Sequence, residues 1–158
     1  MKLNSLLIRL ARPAHLLRLG LSRLHHPLTL GVRVLVRDGE GRVLLLRHSY
    51  VKGWHLPGGG VDRRESVPAA AARELREETG LVAEGAPRIL SLHARLRPWA
   101  SDHVALVAVE RWSGTLRVDG LEIAEAGFFP LDALPAETTP ATLRRLAELG
   151  RNSPAEHW

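Results

Sequence analysis

The amino-acid sequence predicts an α+β fold, an α/β/α sandwich in which helices cover strands. Two patterns lead there. From Thr29 onward, short runs of period-two alternation recur between turn residues, as strands do. Among them stands one dense run of strong helix formers at residues 69–79, and a second helical run closes the chain. Strands surrounding one central helix, with another at the end, are the ingredients of that layered architecture. A length of 158 residues suits one domain. A chain of this size buries roughly 68–70% of its extended surface, enough for a core without staples.

The first element is a basic arm, residues 1–28. Leu3, Leu6, Leu7 and Leu10 have the spacing of one helix face, Pro13 interrupts, and Leu17, Leu21, Leu24 and Leu28 continue an apolar side. Lys2, Arg9, Arg12, Arg18 and Arg23 lie between them with no acid, so these five cations account for the whole net charge of +5. The body is therefore neutral and gives no nucleic-acid footprint of its own. The arm reads as a helix pair packed on the domain or on a second subunit, which would make a homodimer. A helix lying on a membrane surface and a contact with nucleic-acid phosphate are the other readings. Arg9 and Arg12 break the apolar stretch and no small-residue cleavage pattern follows, so a secretory signal is not expected and a cytoplasmic protein is.

Residues 29–150 form the domain proper, and 151–158 a short tail. Leu30, Val32, Val34 and Val36 alternate as a strand, Asp38-Gly39-Glu40-Gly41 supplies turn chemistry, and Val43-Leu44-Leu45-Leu46 reads as the returning strand of a hairpin. A short segment at Trp54-His55-Leu56 precedes Pro57-Gly58-Gly59-Gly60, which cannot be helix. Ser66 then reads as an N-cap with Pro68 in the first turn, and Gly80 as the left-handed stop. Further strands are expected at residues 88–96, 103–111 and 124–129. Thr139-Pro140 opens a closing helix that runs to Leu149 and ends at Gly150.

Composition narrows the chemistry. With 45% hydrophobic and 25% charged residues the chain is not wholesale disordered. No apolar run approaches the ~18 residues of a membrane-spanning helix. The absence of cysteine excludes a disulfide scaffold, thiolate metal ligands and cysteine nucleophiles. Any metal must be held by oxygen or imidazole. On the central helix Glu74, Glu77 and Glu78 fall at i, i+3 and i+4, so three carboxylates share one edge. Like charges so spaced repel by about 0.2–0.5 kcal/mol per pair, which Arg73 and Arg76 offset in part. A hard cation would make the cluster favourable outright. Oxygen-only ligands suit Mg²⁺, with Mn²⁺ as a substitute, and a bound Mg²⁺ commonly shares its shell with substrate phosphate. Gly58 and Gly59 let the backbone approach a metal or anion closely, and Glu65 can fold back toward the helix edge.

The run Gly59, five residues, Glu65, seven residues, Arg73-Glu74-Leu75, one residue, Glu77-Glu78, one residue, Gly80-Leu81 resembles the signature of the Nudix (MutT-like) hydrolase superfamily, with all nine positions filled over 23 residues. At ordinary residue frequencies a chance match is roughly 10⁻⁹ per starting point. Flanking stretches at residues 53–57 and 122–135 extend the likeness over about residues 29 to 135 and leave the arm unexplained. The resemblance implies the Nudix fold, with a mixed β-sheet and a catalytic loop-helix-loop. It also implies Mg²⁺-dependent hydrolysis of the pyrophosphate bond in a nucleoside diphosphate linked to another moiety, such as a nucleotide or a sugar, by water attack on phosphorus.

Position by position, Glu74, Glu77 and Glu78 resemble the metal-ligating glutamates, the Gly58 carbonyl the backbone ligand, and Arg73 the residue that orients the glutamates. Glu65 is expected to assist the metal shell or to brace the loop. Some family members use a signature glutamate as general base and others a glutamate from a later loop. Glu122 and Glu125 are the later candidates here, Glu125 preferred, and a solvated strand-end charge is the alternative for either. Arg64 stands where the family commonly has glycine, so it must avoid the left-handed conformation or accept strain. Its side chain is a candidate for substrate phosphate. Arg47 and His48, at a strand end, are candidates for the same role, and Trp99 for a nucleobase or sugar, against solvated or core-covering roles. Phe128 and Phe129 read as core. Two other functions compete with the small-nucleotide reading: an RNA 5′-end pyrophosphohydrolase that uses the basic arm, and a non-catalytic nucleotide-sensing module.

Overall fold

The computed structural model describes residues 28–97, 100–149 and 155–158. Nearly all of the expected arm, and Trp99, lie outside the described residues. Among those described there are eight strands and two helices: β1 (Leu28–Val36), β2 (Val43–His48), β3 (Trp54–His55), α1 (Val67–Thr79), β4 (Val82–Ala83), β5 (Arg88–Arg97), β6 (Ala100–Val109), β7 (Trp112–Ser113), β8 (Ile123–Phe129) and α2 (Pro140–Ala147). A mixed sheet of order β1-β6-β5 joins β1 to β6 in parallel and β5 to β6 antiparallel. A second sheet, β3-β2-β8, is antiparallel, and β4 pairs with β7 in a short ribbon.

The expected hairpin does not form. Although the turn after β1 is present, β1 and β2 share only the Arg37–Val43 bridge and enter different sheets. Turn chemistry sets how a chain reverses, whereas pairing follows from which apolar faces can be buried. Residues 34–36 of β1 and 43–46 of β2 are buried in unbroken runs, so both faces of each strand need cover. Parallel pairing supplies it for β1, setting Val32 beside Ala105, Val34 beside Val107 and Val36 beside Val109.

Strand alternation then splits the apolar residues between two cores. Val32, Val34, Val36, Ala105, Val107, Val109 and Leu44 pack with Ala70, Ala71 and Leu75 of α1. Leu35, Val43, Leu45, Leu56 and Leu106 pack with Leu146 of α2. One helix thus covers each face, which is the expected α/β/α arrangement. Phe128 and Phe129 divide likewise: Trp112 stacks on Phe128 in the first core, and Trp54 meets Phe129 edge-on in the second.

The helix boundaries follow the predicted caps. Ser66 Oγ accepts from the Ala69 amide at the start of α1, and Gly80, at φ 73°, donates its amide to the Arg76 carbonyl at the end. Thr139 caps α2, which stops at Ala147 rather than 149. The tail is no loose end where it is described, because residues 156–158 exchange backbone hydrogen bonds with Ala94 of β5. None of the described helices is long and apolar enough to cross a membrane.

Candidate active site

The glycine loop is zipped onto β1. Val32 donates to the Gly59 carbonyl at 2.9 Å, Val34 to the Pro57 carbonyl at 2.8 Å, and Val61 returns a bond to the Leu30 carbonyl at 2.9 Å. Gly58 is required on two counts: its φ is 138°, and a Cβ there would lie 2.2 Å from the Val32 carbonyl oxygen. A Cβ on Gly59 would lie 2.5–2.8 Å from the carboxylate of Glu74. The loop is therefore pressed between β1 and the acidic edge of α1.

Arg73 ties that edge to the loop. Its Nε and Nη2 each donate to Glu65 at 2.8 Å, Nη1 donates to Glu74 at 2.7 Å and to Glu77 at 3.2 Å, and Nη2 reaches the Gly60 carbonyl at 2.9 Å. Bidentate pairing of this kind fixes geometry as well as charge. The hydrogen bond to Glu65 raises the Arg73 pKa and lowers that of Glu65. Glu65 also accepts from the Asp62 amide, so in this structure it braces the loop.

The other carboxylates differ in environment. Glu77 is about half exposed. Burial raises the Glu74 pKa, against the pull of Arg73. Glu78 is only 8% exposed, and the Gly58 amide donates to its Oε2 at 2.7 Å. Burial pushes its pKa up to about 8, with the Gly58 hydrogen bond and Arg33 opposing. His48 Nε2 sits 4.0 Å from Glu78 Oε1.

Sequence reasoning missed Arg33. It stands on β1 between buried valines, and its Nη1 donates to the Gly58 carbonyl at 2.5 Å and to the Leu56 carbonyl at 3.3 Å. Burial lowers its pKa, while Glu78 and Glu74 raise it. The available signal was a cation on the strand that leads into the glycine loop, facing away from the α1 core.

The later-loop glutamates part company. Tyr50 donates its hydroxyl to Glu122 at 2.7 Å, and Glu122 is among the charges that act on Glu78. Glu125 instead pairs with Arg47, its cross-strand partner, through an exposed 2.5 Å contact. Glu122 is thus in the surroundings of Glu78, while Arg47 and Glu125 occupy one another. Arg64 takes the strained option. Its φ of 65° is the one positive value at a described non-glycine residue, and its exposed side chain has no hydrogen bond or ion pair among the described residues.

Among the described residues, no three His, Asp or Glu side chains are grouped so as to hold a metal ion as they stand. Arg73 Nη1 holds Glu74 and Glu77, while the Gly58 amide holds Glu78. The donor set still suits a hard divalent ion. It consists of carboxylate and carbonyl oxygens, two of the carboxylates are buried at a cost that a cation would relieve, and no sulfur is present.

Comparison with known proteins gives concordant matches. A family model described as NUDIX domain matches residues 27–149. A Bacillus subtilis protein assigned as an 8-oxo-dGTP diphosphatase is 33% identical over 118 residues, 75% of this chain and 77% of the relative. A Yersinia enterocolitica NAD-capped RNA hydrolase, NudC, is 32% identical over 74% of this chain, which spans only 44% of that protein. The crystal structure of a MutT NUDIX hydrolase from Burkholderia pseudomallei superposes with a TM-score of 0.69 at 28% identity, covering 77% of this chain and 98% of the other.

Proposed function

From the premise that the chain belongs to the NUDIX family and is a hydrolase of that family, we propose that Mg²⁺, or Mn²⁺ in its place, is held by the Gly58 carbonyl and by Glu74, Glu77 and Glu78. The substrate is a nucleoside diphosphate linked to another moiety, cleaved at its pyrophosphate bond. The observation that carries this reading is the glycine loop set against the glutamate edge of α1, with Gly58 touching both Glu78 and Arg33. When bound, the ion supplies neutralisation of the charge on the phosphoanhydride oxygens.

The chain's own residues do the rest. Arg73 holds the glutamates and the loop in one frame through Glu65 and the Gly60 carbonyl. The Gly58 amide fixes the rotamer of Glu78. Glu122, oriented by Tyr50, takes the proton of the attacking water on a carboxylate oxygen. Arg64, exposed and unpaired in its strained loop position, is placed to meet substrate phosphate.

Purified protein should release phosphate, pyrophosphate or a nucleoside monophosphate from at least one member of a panel of nucleoside diphosphate derivatives in Mg²⁺ or Mn²⁺, and not in excess chelator. Glu77→Gln and Glu78→Gln should each lower kcat by several orders of magnitude without loss of fold. Full turnover in both variants would place the metal elsewhere. A second reading, removal of the 5′ phosphates of RNA, is supported by relatives such as the Roseobacter denitrificans RNA pyrophosphohydrolase, 34% identical over 54% of this chain, and by the basic arm. It requires cleavage of triphosphorylated RNA that weakens steeply with salt and with deletion of residues 1–26. On the small-nucleotide reading that deletion alters self-association more than chemistry, as expected of an arm that joins two subunits.

A further inference from the structure

Arg33 plays no part in the proposed chemistry, yet it donates to the carbonyl oxygen assigned there to the metal. Its position is unusual among the cations around the site. Arg73 works from the outer edge of α1 and spends its guanidinium on Glu65, Glu74, Glu77 and Gly60. Arg33 approaches from β1, on the inner side, and meets only two backbone carbonyls, both through Nη1. Its Nε and Nη2 have no hydrogen-bond partner among the described residues, although a guanidinium offers five donors. No carboxylate is bonded to it, yet Glu78 and Glu74 are its principal electrostatic neighbours.

We propose that Arg33 is the resident counter-cation of this site: its guanidinium holds the Gly58 carbonyl while the metal is absent, competes with the divalent ion for that oxygen, and then turns its open donors to substrate phosphate. The inference rests on the metal reading above. Three points support it. Two cations cannot sit close to one carbonyl without mutual repulsion, so occupancy by one disfavours the other. Arg33 favours the ionised form of both Glu78 and Glu74, and it is the cation that acts on them from β1. Finally, a planar fork with free Nε and Nη2 has the shape that binds phosphate oxygens in pairs.

The test is Mn²⁺ binding to the full chain without substrate, followed by electron paramagnetic resonance, in wild type, Arg33→Met, Arg33→Gln and Arg33→Lys. A neighbouring unit charge moves proton binding at a site by one to three logarithmic units, so losing the charge should tighten Mn²⁺ binding about tenfold or more. Arg33→Met and Arg33→Gln should both show this, while Arg33→Lys, which keeps the charge, should stay close to wild type. Arg33→Gln keeps a neutral donor for the Gly58 carbonyl and so guards against a loop that collapses for want of a hydrogen bond. With a nucleoside diphosphate derivative as substrate, all three variants should raise KM more than they lower kcat, because the paired donors are lost.

Weaker or unchanged Mn²⁺ binding in both neutral variants would overturn the proposal and leave Arg33 as a brace for the loop. Failure of wild type itself to bind Mn²⁺ would instead overturn the metal reading on which the proposal stands.

Discussion

Arg64→Gly should make the protein more stable, and the size of the gain can be worked from its backbone. Arg64 is held at φ 65°, in the left-handed region, with an exposed side chain that touches no partner among the described residues. A side chain with a Cβ pays about 1–2 kcal/mol for that conformation. Glycine relieves this but brings roughly 0.5–1 kcal/mol of extra backbone entropy to the unfolded chain. The net expectation is a gain of about 0–1.5 kcal/mol, or up to about 6 °C in Tm for a chain of this length. Thermal melts of wild type, Arg64→Gly and Arg64→Ala in chelator would measure it. Alanine keeps the Cβ and so keeps the strain, and its Tm should stay near that of wild type. If Arg64→Ala gains as much as Arg64→Gly, or if glycine lowers Tm, the strain argument is wrong. The same pair isolates the side chain: a role on substrate phosphate requires both variants to raise KM equally, although only one of them changes stability.

Three further expectations follow from the site. Gly59→Ala drives a Cβ against the Glu74 carboxylate; it should weaken Mn²⁺ binding about tenfold or more, in line with what lost ligand geometry costs, with only a small change in Tm. Glu122→Gln should lower kcat by about 10²–10⁴, the usual worth of a general base. Glu125→Gln should change kcat little; equal effects at the two positions would mean neither glutamate is the base. Glu78 gives a pH signature in chelator. The folded protein keeps its proton up to about pH 8, against a normal value of 4.5, so between these values the folded state binds the extra proton. Its contribution to stability is present at acid pH and is lost as the pH rises through that window. The stability difference between wild type and Glu78→Gln in urea should therefore fall from pH 4.5 to 8; a flat or rising difference would contradict the burial of that carboxylate.

What the sequence disclosed, and what it hid, divides along contact distance in the chain. The signature is one contiguous stretch whose loop and helix hold its members together, so the nearness of Glu65, Arg73, Glu74 and Glu78 was legible from their spacing, while the roles expected of them came from the resemblance. The caps of α1 were legible for the same reason, since Ser66 and Gly80 act on residues a turn away. The partner of β1 was not, because parallel pairing with β6 joins Leu28 to Ser101, far along the chain. Turn chemistry at residues 38–41 pointed to the wrong neighbour. Arg33 was hidden likewise: its contact with Gly58 exists only because the glycine loop folds back along β1. The choice between Glu122 and Glu125 depends on the register of β2 against β8, which gives Glu125 to Arg47 while the loop before β8 carries Glu122 to Tyr50.

The most direct trial is a crystal structure of the full chain with Mn²⁺ and a non-hydrolysable nucleoside diphosphate derivative. The expected result is the ion bonded to the Gly58 carbonyl and to oxygens of Glu74, Glu77 and Glu78, with a phosphate oxygen in its shell and Arg33 displaced from Gly58. An ion and phosphate seated on other residues, while Arg73 and the Gly58 amide keep the glutamates as they stand here, would contradict it.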